Sequence, residues 1–126
     1  MQRWHTLAAH YNHKYGCRVQ KIPLDAGACC PNRDGTLSSD GCIFCNANGS
    51  GSGRAKRGDS LLQQWNALRA VYLRDDPNTR FIAYLQSFSN TYGPQKRLQQ
   101  LLQSVRSLTQ CFGVAVGTRP DCLDAP

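Results

Sequence analysis

Three cysteines in one glycine-rich stretch have the residue type and the spacing of a metal-binding site. Cys42 and Cys45 form a C-x2-C pair, and eleven residues separate Cys30 from Cys42. Two residues between thiolates let both sulfurs turn toward one metal centre, and a third thiolate reaches the same centre across a flexible loop. Three thiolates fit a [4Fe–4S] cluster that leaves one iron open for a small molecule. An open iron suggests a catalytic rather than a structural role for the site.

A structural zinc site is the alternative for the same cysteines. Such a site needs a fourth ligand, for which there are several candidates: Cys29, Cys17, His10 and His13. Spacing alone leaves the cluster and the zinc ion equally open. A zinc site would make the chain a non-enzymatic structural or RNA-binding module, and a chelator would unfold it.

A long loop carries these cysteines. Residues 26–59 contain most of the glycines of the chain, together with Ser, Asn, Asp and Cys. A loop of this length in a compact domain is uncommon unless it is functional. We assign residues 1–16 to an amphipathic flanking helix and residues 17–126 to the core that holds the loop.

Hydrophobic periodicity predicts strands that alternate with helices around this loop. Ser60 and Gln63 form a capping-box pattern before one apolar helix face, and Pro94 suits the first position of the next helix. Strands linked by helices favour a parallel α/β sheet with the helices outside. The predicted strands are 18–24, 80–88 and 112–116. Three strands rarely suffice for a parallel sheet, so we expect a truncated chain.

Polar residues follow the second and third predicted strands. Gln86, Ser87 and Asn90 come after the second strand, and Thr118 and Arg119 come after the third. Open α/β sheets and barrels place their sites at the carboxyl ends of the strands. An arginine there can meet a carboxylate or a ribose. Caps and turns at a polar strand end, and an ordinary surface arginine, are the alternatives.

The composition agrees with one folded domain in a reducing compartment. The chain has 126 residues, and its seven cysteines are an odd number that cannot pair off completely within one chain. The longest apolar stretch, 112–116, falls far short of the ~20 residues that a membrane span needs. The start of the chain has no apolar signal core. We therefore expect a cytoplasmic protein without a membrane segment.

Four segments follow the motif order of one enzyme superfamily. They are the cysteine loop with Pro-Asn-Arg-Asp-Gly-Thr at 31–36, Asn-Gly-Ser-Gly-Ser-Gly at 48–53, the strand end at 84–92 and Gly-Thr-Arg-Pro-Asp at 117–121. Together they resemble the radical S-adenosylmethionine superfamily, in particular its uncharacterised bacterial branch related to the catalytic subunit of Elongator. The resemblance implies the N-terminal portion of a partial (β/α)6 barrel, with about three parallel strands and outer helices in this chain.

The resemblance also implies roles for the residues singled out above. Cys30, Cys42 and Cys45 would bind a [4Fe–4S] cluster whose open iron chelates S-adenosylmethionine. One-electron reduction would then cleave this cofactor to a 5′-deoxyadenosyl radical that takes a hydrogen atom from the substrate. Phe44 would shield the cluster and lie near the adenine. The further cofactor contacts would come from the polar strand ends, at Gln86, Ser87, Asn90, Thr118 and Arg119.

One departure from the superfamily concerns the methionine amino group of the cofactor. The glycine-rich acidic motif that often holds this group is absent, so uncharged Gln86, Ser87 and Asn90 would have to supply the contacts. The implied partners are a low-potential electron donor, such as flavodoxin or ferredoxin, and an unknown substrate. The net charge of +7 and the likeness to Elongator favour RNA as that substrate.

Overall fold

The computed structural model describes residues 3–43, 46–47, 52–86 and 88–123 of the chain. Helices and strands alternate in it as the periodicity predicts, apart from the long loop between the first strand and the second helix. The elements are α1 Leu7–Tyr15, β1 Val19–Leu24, α2 Leu61–Asp75, β2 Arg80–Leu85, α3 Gln95–Arg106 and β3 Cys111–Val116. Two short 3-10 helices lie at Ala55–Arg57 and Pro120–Cys122.

The three strands form one parallel sheet in the order β1-β2-β3. The predicted α/β class with three parallel strands is therefore confirmed. Pairing of β2 with β3 is irregular between Phe81 and Ile82, where β3 accommodates one extra residue. Pro23 lies in β1 at an edge of this sheet, where its missing N–H group costs little.

The core lies between one face of the sheet and helices α2 and α3. Trp65 of α2 and Phe81 of β2 are both fully buried, and their rings meet edge to face at 6.0 Å. The indole N–H group of Trp65 donates a hydrogen bond to the Thr109 carbonyl at 3.0 Å, so the buried ring leaves no polar group unpaired. The buried cluster comprises Ile22, Leu24, Trp65, Phe81, Ala83, Leu85, Leu101, Val105 and Leu108.

The helix ends follow local capping chemistry. Ser60 Oγ accepts from the Gln63 N–H group at 3.1 Å, and Gln63 Oε1 accepts from the Ser60 N–H group at 2.8 Å. This reciprocal pair confirms the predicted capping box. Pro94 instead occupies the capping position before α3, because its backbone is extended with ψ at 137°. Within the described ranges, no helix combines the length and the apolarity required to cross a bilayer.

The flanking helix is shorter than the predicted 1–16. Thr6 caps α1 by accepting from the Ala9 N–H group at 3.1 Å, so the helix begins at Leu7. It ends at Gly16, whose φ of +66° is the left-handed conformation expected of glycine after a helix. Near its end, Tyr15 packs edge to face on Phe112 of β3 at 5.2 Å, which ties the helix to the sheet.

Candidate cysteine site at the carboxyl end of the sheet

All three strands end at the same edge of the sheet, and hydrogen bonds join the segments that follow them. The Ser89 N–H group after β2 donates to the Cys29 carbonyl after β1 at 3.2 Å. The Asn90 N–H group donates to the Gly117 carbonyl after β3 at 3.1 Å. Because the strands are parallel, residues 60 or more apart along β1 and β2 become neighbours here.

The buried side chain of Asn90 joins the ends of two strands at this edge. It is fully buried, and its side-chain Nδ2 donates to the carbonyls of Leu85 and Gly117, both at 3.0 Å. Arg97 at the start of α3 donates to the Asn90 carbonyl at 3.1 Å and to the Ala26 carbonyl at 3.4 Å. Asn90 thus links the ends of β2 and β3, and its contact with a cofactor stays a prediction.

Cys30 lies buried at the centre of this edge. Only 8% of its surface is exposed, and the Ser89 hydroxyl donates to its sulfur at 3.6 Å. Burial is the largest influence on the pKa of Cys30 and by itself raises it. The backbone N–H group of Asn32, the Ser89 hydroxyl and the Arg119 guanidinium together outweigh burial, so the pKa lies below its ordinary value. A lowered pKa favours the thiolate, which is the form that binds metal.

Cys42 reaches the same region through Asn32. The side-chain Nδ2 of Asn32 donates to the half-buried sulfur of Cys42 at 3.1 Å. The Asn32 carbonyl accepts from the Gly41 N–H group at 2.8 Å, which draws the second part of the loop back to the first. The Cys30 and Cys42 sulfurs each accept a hydrogen bond, from Ser89 and Asn32 respectively, as suits ligands of a thiolate-bound metal centre.

Arg33 braces the part of the loop that carries the C-x2-C pair. Its guanidinium lies 5.3 Å from the centre of the Phe88 ring and donates to the Asn46 carbonyl at 2.5 Å. Gly41 makes room for this side chain, since a Cβ atom there would lie 2.9 Å from Arg33 Nε. The φ of +79° at Gly41 independently favours glycine.

Asp25 closes the base of the loop where it leaves β1. Its carboxylate is 5% exposed and accepts from the N–H groups of Gly27 at 3.0 Å and Ala55 at 3.1 Å. The fully buried Gln64 of α2 accepts from the Asp25 N–H group at 2.8 Å and donates to the Asp25 carbonyl at 2.9 Å. Asp25 therefore joins the start of the loop, at Gly27, to its last part, at Ala55, and Gln64 joins Asp25 to α2.

Tyr92 closes the outer side of the loop. Its hydroxyl donates to the Asp34 carboxylate at 2.6 Å and lies 3.0 Å from the Thr36 hydroxyl. The Tyr92 hydroxyl is the main reason why the pKa of Asp34 lies below its ordinary value. The same bond raises the pKa of Tyr92. These contacts join the loop after β1 to the segment after β2.

Arg119 and its neighbours form the third side of the site. The guanidinium donates two hydrogen bonds to Asp121, at 2.9 and 2.7 Å, and this pairing lowers the pKa of Asp121. Burial, followed by the charge of Asp121, raises the pKa of Cys122, and Ser89 and Cys30 also act on it. Cys122, to which the sequence assigns no role, is therefore a second thiol near Ser89 and Cys30.

The structure leaves part of the predicted site undescribed. Phe44, Cys45 and Ser87 lie outside the described residues. Thr118 is exposed, and its hydroxyl pairs with that of Thr91, while Gln86 is half-buried. Within the ranges that are described, no three His, Cys, Asp or Glu side chains are grouped closely enough to hold a metal ion. The set of three cysteines cannot be assembled without Cys45, so its roles remain predictions.

Several residues that build the site were not assigned from the sequence. Asn32 and Ser89 were noted only as parts of longer motifs, and the bond from the Asn32 amide to Cys42 spans ten residues, so no local pattern marks it. Gln64 bonds to Asp25 across 39 residues, and Arg97 bonds to Ala26 across 71. No local pattern marks contacts of such long sequence separation.

Comparisons with known proteins find relatives whose own functions are uncharacterised. "Uncharacterized protein YtqA" of Bacillus subtilis (strain 168) is 40% identical over 122 residues, which is 97% of this chain and 38% of that protein. "Protein YhcC" of Escherichia coli (strain K12) is 36% identical over 110 residues, covering 87% and 34% of the two chains. "Uncharacterized protein MJ0486" of Methanocaldococcus jannaschii is 27% identical over 117 residues, covering 88% and 34%.

The chain thus spans little more than a third of the length of the curated relatives it matches, between 34% and 38%. No family model matches the chain, and no solved structure matches it.

Proposed function

We propose that this chain is the cluster-binding part of a radical S-adenosylmethionine enzyme. The observation that carries the proposal is that Asn32, in the turn that begins at the buried Cys30, donates to the sulfur of Cys42 at the carboxyl end of a parallel sheet. Cys45 completes the set of ligands for a [4Fe–4S] cluster in this proposal. When bound, such a cluster supplies the low-potential electron that cleaves S-adenosylmethionine to a 5′-deoxyadenosyl radical.

The surroundings of Cys30 support this role. Its sulfur is shielded from water, and a shielded thiolate helps to hold a cluster in the lower part of its range of potentials. The Arg119 guanidinium is positive and lies at the same edge, where it can meet the carboxylate of a bound cofactor. Gln86, Ser87, Asn90 and Thr118 follow the same strand ends and are proposed as the polar contacts, with Phe44 at the adenine.

The fold of the whole enzyme in this proposal is a partial (β/α)6 barrel, of which the three strands are the N-terminal portion. Among the described residues, β3 has no strand on its outer side, and Val114 and Val116 there are 44% and 38% exposed. An edge strand presents its backbone N–H and C=O groups to a further strand, and exposed apolar side chains on its face favour a covering element, so both support a sheet that continues in the longer relatives.

The partners follow from the proposed chemistry. A reduced cluster requires a low-potential electron donor, such as flavodoxin or ferredoxin. The net charge of +7 supports RNA as the class of substrate, because basic chains gain affinity for phosphates through counterion release.

Anaerobic reconstitution of the chain with iron and sulfide tests this proposal. We expect a brown protein with about four irons per chain. The double variant Cys42→Ala, Cys45→Ala should stay colourless. Cys17→Ala is the matched control, because Cys17 precedes the first residue of β1 and so lies at the opposite end of the sheet. It should keep the full iron content. With a reductant and S-adenosylmethionine, the loaded chain should release 5′-deoxyadenosine.

Two outcomes would contradict the proposal. A colourless chain that holds one zinc ion would favour a structural module instead. A folded chain that takes up neither iron nor zinc would remove the metal site altogether.

A further inference from the structure

Asn32 joins the parts of the loop that carry two of the three cysteines. It lies two residues after Cys30, and its side-chain Nδ2 donates to the sulfur of Cys42 at 3.1 Å. These two cysteines are separated by eleven residues. Asn32 therefore connects the turn that carries Cys30 to the sulfur of Cys42.

Backbone hydrogen bonds hold the turn around Asn32. The Cys30 carbonyl accepts from the N–H groups of Arg33 at 2.9 Å and Asp34 at 3.2 Å. The Asn32 carbonyl in turn accepts from the Gly41 N–H group at 2.8 Å. These bonds fix the backbone of Asn32, so only its two side-chain torsions remain to direct the amide at Cys42.

Hydrogen bonds to ligand sulfurs act on the electron affinity of a cluster. The reduced form carries one more negative charge than the oxidised form, and part of that charge resides on the sulfurs. An N–H group that points at a sulfur stabilises the reduced form more, and so raises the reduction potential.

We infer that Asn32 is a positioning residue that holds Cys30 and Cys42 toward one cluster and raises the reduction potential of that cluster through its side-chain amide. This inference rests on the proposed function. It adds a residue that a pattern of metal ligands cannot identify, because the asparagine acts on the cysteine sulfurs and does not itself bind the cluster.

The test compares Asn32→Asp and Asn32→Ala with the unchanged chain after reconstitution. Asp matches Asn in shape but its side chain offers no N–H group, and both variants keep the backbone hydrogen bonds of the turn that begins at Cys30. Asn66→Ala is the control, because Asn66 is an exposed residue in the middle of α2. A redox titration followed by electron paramagnetic resonance gives the potential, iron analysis gives the loading, and circular dichroism confirms the fold.

We expect Asn32→Ala to shift the one-electron reduction equilibrium at least about tenfold toward the oxidised cluster, which is a fall of about 59 mV. Asn32→Asp should fall further, because its carboxylate brings a negative charge to the sulfur. Asn66→Ala should match the unchanged chain. Folded Asn32 variants that bind no iron would support the positioning role in a stronger form.

Two results would overturn the inference, and they differ from each other. Unchanged potentials in both Asn32 variants would overturn it alone and leave the proposed function in place. An unchanged chain that takes up no cluster would overturn the proposed function, and this inference with it.

Discussion

Ser89 donates to the sulfur of Cys30 and lies near Cys122, and the pKa values of these two cysteines move in opposite directions. The pKa of Cys30 lies below its ordinary value, whereas burial and then the charge of Asp121 raise the pKa of Cys122. Both thiols are near the proposed cluster, but only Cys30 has surroundings that favour the thiolate. Position near a metal site and suitability as a ligand are therefore separate properties of these two residues.

Serine substitutions at the two cysteines distinguish them. We expect Cys30→Ser to lose most of the iron after reconstitution, because a neutral hydroxyl is a poor cluster ligand. Cys122→Ser should keep the iron content of the unchanged chain. Iron analysis on both variants is the measurement, with circular dichroism to show that each is folded. Equal loss of iron in the two variants would assign Cys122 to the ligand set as well.

The bond between Tyr92 and Asp34 predicts a dependence on pH. The Tyr92 hydroxyl holds the pKa of Asp34 below its ordinary value, so the pair stabilises the fold when Asp34 is ionised. That contribution is complete above the pKa of Asp34 in the unfolded chain, about 3.9, and is lost as the pH falls through the lower folded value.

Tyr92→Phe should raise the pKa of Asp34 toward its ordinary value and reduce the loss of stability in acid. Some lowering should remain, because the Thr36 N–H group still donates to the carboxylate at 2.9 Å. A titration of the Asp34 side-chain carboxyl signal by nuclear magnetic resonance measures the shift. Tyr11→Phe is the control, since Tyr11 packs against the rings of His10 and Tyr15. The same pKa of Asp34 in all three proteins would refute the assigned cause.

At the level of the elements, the ends of β2 and β3 approach so closely at Gly117 that a side chain there would be crowded. A Cβ atom there would lie 3.0 Å from the Leu85 carbonyl oxygen and 3.4 Å from Gln86 Cα. That oxygen already accepts from the N–H group of Gly117 at 2.6 Å and from Asn90 at 3.0 Å, so it has little freedom to move.

We therefore expect Gly117→Ala to lower the free energy of unfolding by roughly 1–3 kcal/mol, as overpacking does elsewhere. Gly113→Ala in the same strand is the matched control, because its Cβ would meet Ile82 at 3.5 Å, an ordinary contact. Urea denaturation of both variants gives the two free energies. If Gly113→Ala were the more destabilised of the two, the steric explanation would be wrong.

Local chemistry decided which elements could be predicted. The capping box at Ser60 was predictable because both partners lie within one helical turn. The second strand was predicted to run to Phe88 but ends at Leu85. Residues after Leu85 form hydrogen bonds with the segments that follow the other two strands. Phe88 has a left-handed backbone conformation with φ of +60°, which β propensity does not anticipate.

Parts of the candidate site could likewise be predicted from the local sequence, and other parts could not. The cysteine spacing and the polar strand ends are sequence patterns, and parallel topology alone brings the strand ends to one edge. The buried pair of Gln64 and Asp25 could not be predicted, since a glutamine within a helix has the same local pattern whether it faces solvent or the core. Only the packing of α2 on the sheet selects between the two.

On the scale of the whole molecule, the site depends on the sheet because each strand supplies one side of it. Cys30 follows β1, Ser89 follows β2 and Arg119 follows β3. None of these residues is near the others without the pairing of the strands. The buried packing of Trp65 against Phe81 holds α2 on that sheet, so a change in the core should also affect metal binding by the cysteines.

Trp65→Ala should remove both the fold and the metal. Truncation of a buried tryptophan costs about 3–5 kcal/mol, a large part of the 5–15 kcal/mol that stabilises a typical domain. We expect a loss of helical circular dichroism together with a loss of iron. Trp65→Phe should keep most of both, since an aromatic ring stays in the core, although the change removes part of the ring volume and the bond to Thr109. Cys42→Ala should lose iron alone. Full iron binding by an unfolded Trp65→Ala chain would mean that the cysteine loop binds metal without the sheet, and the strand ends would then have no part in the site.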